Sequence, residues 1–252
     1  MPVPANTHSD SISVDTDLLR KYAVPGPRYT SYPTALHFDD EVDAARIDDV
    51  MAAECNSDRP LSVYFHLPFC RKLCWYCACH KIITKDRERA DTYLDDLERE
   101  LELKRPWIDG RPVTQVHLGG GTPTFLTPAQ IERLGELIDR FFDVQPGAEM
   151  GVEVDPREFT REHAEALAAA GFNRASLGIQ DNNRAVQEAI HRVQPHHLNE
   201  QTIGILRELG FGSLNVDLIY GLPRQTESGF RQTLDDVLGL DTVQINYNGA
   251  LI

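Results

Sequence analysis

Ser62-Val63-Tyr64-Phe65-His66-Leu67-Pro68-Phe69-Cys70-Arg71-Lys72-Leu73-Cys74-Trp75-Tyr76-Cys77-Ala78-Cys79 is the stretch that decides the fold. Its first six residues read as a strand, and Pro68-Phe69 turns the chain out of it. Three cysteines follow, Cys70, Cys74 and Cys77, spaced x3 and then x2, so one short loop supplies three thiols. A cubane iron–sulfur cluster has four irons, each usually held by one cysteine thiolate. Three ligands leave one iron open to bind and reduce a substrate. The competing reading is a zinc-binding module built from Cys70, Cys74, Cys77 and either Cys79 or His80. Zinc motifs usually come as two separated pairs, and the one other cysteine, Cys55, stands alone. The spacing therefore favours a cluster. A disulfide framework is disfavoured, because cysteine is sparse and no signal-peptide pattern precedes the loop.

Outward from this loop, strand-like and helix-like segments alternate. Strands are expected near 62–67, 113–119, 149–155, 174–180, 213–220 and 242–247, and helices near 87–105, 128–142, 161–170, 183–192, 198–209 and 227–238. Such alternation implies βαβ units and a parallel sheet. Short helices are also expected at Thr16 to Tyr22 and near 41–54. Period-2 counting separates the strand faces. One face carries Val63, Phe65 and Leu67, then Thr114, Val116 and Leu118, and stays apolar through Val243, Ile245 and Tyr247. The other carries Tyr64, His66, Gln115, His117, Glu153, Asp155, Ser176, Gln180, Asn215, Asp217, Gln244 and Asn246, with glycine between. A closed eight-stranded barrel fills its interior with branched side chains. A doubly wound sheet needs apolar runs on both faces. A polar second face on every strand fits neither, and predicts an open, partial (β/α)6 TIM-like barrel whose lumen holds a polar ligand.

At 252 residues with a formal charge of −14, the chain is large enough for such a core, and its charge argues against a nucleic-acid surface. No apolar run approaches the ~20 residues that span a bilayer. The expectation is a protein of a reducing, cytoplasmic compartment with no membrane or nucleic-acid partner.

The remaining motifs fall at the C-terminal ends of the expected strands, where α/β barrels place their chemistry. Gly119-Gly120-Gly121-Thr122-Pro123 brings backbone close to a ligand; the plainer reading is a tight turn. Glu153 stands on the polar face between two valines, and an inward carboxylate needs a partner such as a ribose hydroxyl or a cation. Gln180 and Asp217 carry the same argument. Arg192 is expected to close a helix, where contact with the helix dipole is the simplest role. His196-His197 read as a solvated turn, and His66 and His117 as satisfied barrel histidines.

The cysteine loop resembles that of the radical S-adenosylmethionine (radical SAM) enzymes, and a narrower resemblance runs along nearly the whole chain. Pro27-Arg28-Tyr29-Thr30-Ser31-Tyr32-Pro33-Thr34-Ala35, Cys70-x3-Cys74-x2-Cys77-x-Cys79, Gly-Gly-Gly-Thr-Pro-Thr, Glu-Val-Asp-Pro-Arg-Glu, Gly-Ile-Gln-Asp and Asp-Leu-Ile-Tyr-Gly-Leu-Pro occur in the order found in oxygen-independent coproporphyrinogen III oxidases. The resemblance implies a radical SAM barrel over residues 56–252, with residues 1–55 as an N-terminal extension. It implies a [4Fe-4S] cluster on Cys70, Cys74 and Cys77, and two molecules of SAM. SAM-binding positions fall on Tyr64, Tyr76, Gly120, Gly121, Thr122, Glu153, Gln180, Arg192 and Asp217; Tyr64 and Cys79 are implied catalytic residues, Cys79 without ligating the cluster. The implied reaction converts two propionates of coproporphyrinogen III to vinyls, through a 5′-deoxyadenosyl radical that takes a propionate β-hydrogen. It needs an electron donor and an electron acceptor, neither identified, and a monomer is implied. Arg28 is the first candidate to hold the anionic substrate.

A heme-trafficking group on the same barrel is the alternative. It usually has an aromatic at the Cys79 position and lacks the Pro-Arg-Tyr-Thr-Ser-Tyr-Pro segment. Two departures from the oxidase pattern stand out. Asn182-Asn183 replaces an aromatic-bearing pattern after Gln180, and Asn246-Tyr247-Asn248-Gly249 differs from the family's Phe-x-Tyr-Ala. The family also continues with a sixth helix and a C-terminal helical domain, so an incomplete, poorly soluble enzyme is expected of these 252 residues alone.

Overall fold

The computed structural model describes residues 15–22, 37–38, 43–54, 59–240 and 244–249. The Pro27-to-Ala35 segment with Arg28, and also Cys55 and Val243, lie outside these residues. The chain divides into two units, residues 1–50 and 51–252. The first contains α1 (Thr16–Tyr22) and the start of α2 (Ala44–Glu54). Each helix opens on an aspartate that accepts from the first backbone N–H groups: Asp15 from Asp17 and Leu18, both at 3.0 Å, and Asp43 from Arg46 at 2.8 Å.

The second unit runs β1 (Leu61–Leu67), β2 (Phe69–Cys70), β3 (Ile82–Ile83), α3 (Glu88–Ile108), β4 (Pro112–Gly120), α4 (Pro128–Phe141), β5 (Asp143–Val154) and α5 (Arg161–Ala169). It continues through β6 (Arg174–Gln180), α6 (Arg184–Ala189), α7 (His196–Glu208), β7 (Ser213–Tyr220), α8 (Glu227–Leu238) and β8 (Gln244–Gly249). Six strands form one sheet in the order β1-β4-β5-β6-β7-β8, every neighbouring pair parallel. This is a partial TIM-like barrel. The small β2–β3 pair closes the base of the cysteine loop.

The helices cover one face of the sheet. Phe65, Leu67, Val116, Leu118, Val152, Val154, Leu177, Ile179, Val216 and Leu218 are all buried there, each contributing ~1.5–3 kcal/mol by leaving water. Helix α4 shows how the sequence makes such a cover. Thr127 and Gln130 form a reciprocal capping box, Pro128 starts the first turn, and Ile131, Leu134, Leu137, Ile138 and Phe141 return on one buried face.

Three expectations needed correction. Thr114 is exposed although its parity placed it on the covered face, because it is an extra residue in the β1–β4 pairing: consecutive Leu61 and Ser62 pair with Val113 and Gln115, so Val113 takes the covered face and normal alternation resumes at Val116. Helix α6 stops at Ala189, and the chain turns through His191 at φ 57°, so Arg192 does not close a helix. His196 and His197 are the first residues of α7 rather than a turn, with the His196 Nδ1 3.0 Å from Asn182 Nδ2.

Candidate functional site

The C-terminal ends of the strands surround a cavity of about 1040 Å³. The cysteine loop forms one wall and is fixed mainly by backbone. Ile82 N–H donates to Pro68 O (2.7 Å) and Thr84 N–H to Cys70 O (2.9 Å). On the far side Trp75 N–H donates to Ile190 O (3.0 Å), and His191 Nδ1 meets Leu73 O (2.8 Å). Lys81 Nζ ties the loop's end by donating to Cys77 O and Cys79 O, each at 3.0 Å. Cys70, Cys74, Cys77 and Cys79 are free thiols that all line the cavity. No three His, Cys, Asp or Glu side chains converge on a single-ion position among the described residues.

The thiols differ in their surroundings. Cys70 Sγ lies 3.3 Å from Thr122 Oγ1, and burial pushes its thiol up. A hydrogen bond from the Cys79 thiol lowers Cys77 to about 6, against its own burial. The same bond, with burial next, raises Cys79, so Cys79 is the protonated partner. Cys74 is buried and meets two guanidinium groups: Arg192 Nη1 at 3.6 Å and Arg157 Nη2 at 3.7 Å.

Between those arginines sits Asp155. Its Oδ2 accepts from Arg157 Nη2 at 2.5 Å and from Arg192 Nη1 at 3.3 Å, and its Oδ1 from Arg157 Nε at 2.9 Å. Burial alone would raise this carboxyl, but the Arg192 and Arg157 charges win and hold it well below the usual carboxylate range. Arg192 also donates to Gly178 O at 2.7 Å, while its Nε is buried with no hydrogen-bond partner.

The remaining wall comes from the other strands. Gly120 has φ 115°, and a Cβ there would stand 2.8 Å from the His66 ring, so only glycine lets β4 turn at this point. Gln180 sits at φ 69°, buried, folded over Gly178. Asp217 accepts from Ser176 Oγ (3.1 Å) and Asn246 Nδ2 (3.0 Å), a ladder across β6, β7 and β8. Glu153 is half-buried, with its Oε1 3.7 Å from His117 Nε2. Tyr64 stacks on His117 with ring centroids 5.9 Å apart, and its hydroxyl lies 3.3 Å from His66 Nδ1. Burial first, and then the Glu153 charge, raise the Tyr64 phenol.

The structure thus brings Cys70, Cys74, Cys77, Cys79, Tyr76, Gly120, Gly121, Thr122, Glu153, Gln180, Arg192 and Asp217 to one cavity. Tyr64 flanks that cavity from beside Glu153 without lining it. Sequence reasoning quoted Asp155 and Arg157 but singled out neither. Strand parity had placed Asp155 on the luminal face, and a carboxylate facing a lumen asks for a cation; that signal was present and unused. Thr122 was marked, but its hydroxyl contact with Cys70 depends on tertiary approach.

A thiol-lined cavity at the strand ends of an open, parallel barrel defines a class, and the comparisons agree with it. The sequence matches the Radical SAM superfamily over residues 64–237, and the chain belongs to that superfamily. More narrowly, it is 46% identical over 230 residues to the oxygen-independent coproporphyrinogen III oxidase of Escherichia coli (strain K12), covering 91% of this chain and 50% of the relative. It is 43% identical over 233 residues to the enzyme of the same name from Helicobacter pylori (strain ATCC 700392 / 26695), covering 91% and 51%. The solved structure of coproporphyrinogen III oxidase (HemN) from Escherichia coli, described as a radical SAM enzyme, superposes with a TM-score of 0.85 at 43% identity, covering 92% of this chain and 52% of that one. The chain spans about half the length of the curated relatives it matches.

Proposed function

We propose that this chain carries the cluster- and SAM-binding half of an oxygen-independent coproporphyrinogen III oxidase. One observation carries the reading. Cys70, Cys74 and Cys77, with Cys79 beside them, face the same cavity as a buried guanidinium whose Nε has no partner, beside polar groups delivered by the ends of β5, β6 and β7. Such a donor set suits an anionic, thiolate-held group, and three thiols on one wall suit a [4Fe-4S] cluster on Cys70, Cys74 and Cys77. When bound, that cluster supplies one electron to the SAM sulfonium, the chemistry from which a substrate hydrogen is taken.

The chain's own residues orient the ligand. Glu153 and Asp217 offer carboxylates to hydroxyl or ammonium groups, and Gln180 offers an amide. Gly120 and Gly121 keep β-carbons out of the way where the β4 turn packs on β1 and Pro68. Tyr76 is half-buried beside Arg192 and Cys74, and burial first of all raises its phenol, so it serves as a neutral, apolar wall. Cys79 remains a thiol and keeps Cys77 ionised. The substrate assigned is coproporphyrinogen III, from the relatives' activity. Turning a propionate into a vinyl group releases carbon dioxide, a hydrogen atom and one electron; the hydrogen atom goes to the adenosyl group of SAM, whose cleavage takes one electron from a donor, and the released electron goes to an acceptor, both outside this chain. Residues 1–55 are assigned as a substrate-side extension with Arg28, and residues 56–252 as the barrel. A reducing compartment, the cytoplasm, suits four unpaired thiols. No described helix is long and apolar enough to cross a membrane.

Anaerobic reconstitution with iron and sulfide tests the reading. Wild type should bind about four irons and cleave SAM under a strong reductant. Alanine at Cys70, Cys74 or Cys77 should abolish the visible absorption, while Cys79→Ala retains it. Equal iron loss in all four variants sinks the ligand assignment, and a colourless zinc-loaded wild type sinks the cluster itself.

A further inference from the structure

The three thiols are not treated alike. Cys70 receives a neutral hydroxyl and Cys77 a neutral thiol, whereas Cys74 receives two guanidinium groups. Arg192 has other duties in the cavity wall, holding Gly178 O and presenting a free Nε. Arg157 has none: its side-chain hydrogen bonds go to Asp155 and to Cys74 Sγ. Its side chain is 17% exposed, so water screens it little. The Glu-Val-Asp-Pro-Arg order explains the aim. Asp155 directly follows β5 and lines the cavity, and its Oδ1 also accepts the Arg157 backbone N–H at 3.1 Å, which folds the arginine back over the carboxylate. The fork then grips both carboxylate oxygens and leaves Nη2 over the sulfur. Two guanidiniums against one carboxylate leave one surplus positive charge, and it faces Cys74.

We propose that Arg157 is a positioning residue that acts through the Cys74 sulfur to raise the reduction potential of the cluster this loop holds, with Asp155 fixing its orientation. The inference rests on the cluster assignment made above. Hydrogen bonds to ligand sulfurs and nearby charge set cluster potentials. Reduction adds one electron, hence one negative charge, to the thiolate-held group, and a donated N–H with a full positive charge stabilises that state more than the oxidised one. A group this exposed to the ligand and this shielded from water shifts the one-electron equilibrium by about tenfold, which is about 59 mV for a single electron. A lysine at this position carries the charge, but as a point donor it cannot grip both Asp155 oxygens and cover the sulfur together.

The test is a dye-mediated potentiometric titration, followed by electron paramagnetic resonance, of the reconstituted full chain as wild type, Arg157→Gln and Arg157→Lys. Iron content and thermal unfolding are measured on each. Arg157→Gln should retain its iron and show a midpoint lower by about tenfold in the one-electron constant; Arg157→Lys should move the same way by less. If the glutamine variant does not fold, the lysine variant decides alone. A wild-type midpoint in either folded variant at full iron content overturns the proposal and reduces Arg157 to a structural partner of Asp155. Loss of iron from both variants in a folded chain also overturns it, since Arg157 would then act on assembly. A wild type that takes up no cluster fails the site assignment itself, and this inference falls with it.

Discussion

Replacing Asp155 with asparagine should cost the apo chain about 3–5 kcal/mol, the loss expected when one partner is removed from a buried ionic set. The carboxylate is 8% exposed and stands between Arg157 and Arg192, with contacts from 2.5 to 3.3 Å. At about 4 Å and an effective dielectric of about 20, each charge pair is worth about 4 kcal/mol. Desolvating three ions offsets most of that, so the intact set adds little net stability. The asymmetry lies in breaking it. Asparagine keeps the shape but leaves the buried Arg192 and half-buried Arg157 guanidiniums facing each other with no anion, and its amide can turn an N–H toward them. Against a total of ~5–15 kcal/mol, the change is visible in urea unfolding of the oxygen-free apo chain at neutral pH. The pH dependence follows from the sign of the shift. The folded carboxyl lies below its unfolded value of ~3.9, so the stabilisation is fully present above that value and is lost as the pH falls through the folded one. The gap between wild type and Asp155→Asn should therefore be flat from neutral to mildly acidic pH and close only in strong acid. A loss below about 1 kcal/mol, or a gap that already closes near pH 6, would refute the idea that Asp155 holds these two cations.

Gly120→Ala should lower the melting temperature and cost ~1–3 kcal/mol, because φ 115° is a strained backbone for any side chain and the new Cβ meets the His66 ring at 2.8 Å; a wild-type thermal scan would show that β4 can turn without glycine. Glu153→Gln should weaken SAM binding about ten- to a hundredfold by calorimetry, the worth of a charge-assisted hydrogen bond of ~1.5–3 kcal/mol, with little change in unfolding. Unchanged affinity with a large stability loss would make Glu153 a structural partner of His117 instead.

The barrel was legible because period-2 patterning is a local property that the sheet preserves. Phe65, Val116, Val152, Leu177 and Val216 are buried under helices, while His117, Glu153 and Asp217 face the lumen, as simple alternation requires. Alternation failed at Thr114, an extra residue in the β1–β4 pairing; nothing local marks it, since Val-Thr-Gln-Val reads equally well in either phase. That the thiols of the cysteine loop would face one cavity was legible from their spacing. What Arg192 does was not, because its role depends on a turn at His191 that breaks the expected helix and swings the guanidinium toward a residue 118 positions earlier. The contacts of Asp155 with Arg157 were open to inference, being two residues apart, but their joint aim at Cys74 required the fold.

That turn also explains why motifs so far apart in sequence behave as one site. The stretch after α6 supplies Ile190 O to Trp75 N–H, His191 Nδ1 to Leu73 O, and Arg192 to Cys74 and Asp155. Three consecutive residues thus grip the cysteine loop at its backbone, its outer edge and its sulfur. The grip is itself anchored, since buried Gln187 donates to Asp181 O (2.9 Å) and Gln194 O (2.7 Å) across the same turn. Leaving such buried carbonyls unpaired costs ~1–3 kcal/mol each, so the turn is rigid for the same reason that it is irregular. A helix continuing to residue 192 would have paired its backbone with itself and presented nothing to the loop. The strained His191 is thus the conformation that lets the turn after α6 hold the cysteine loop, and with it the thiols, in fixed relation to the luminal carboxylates.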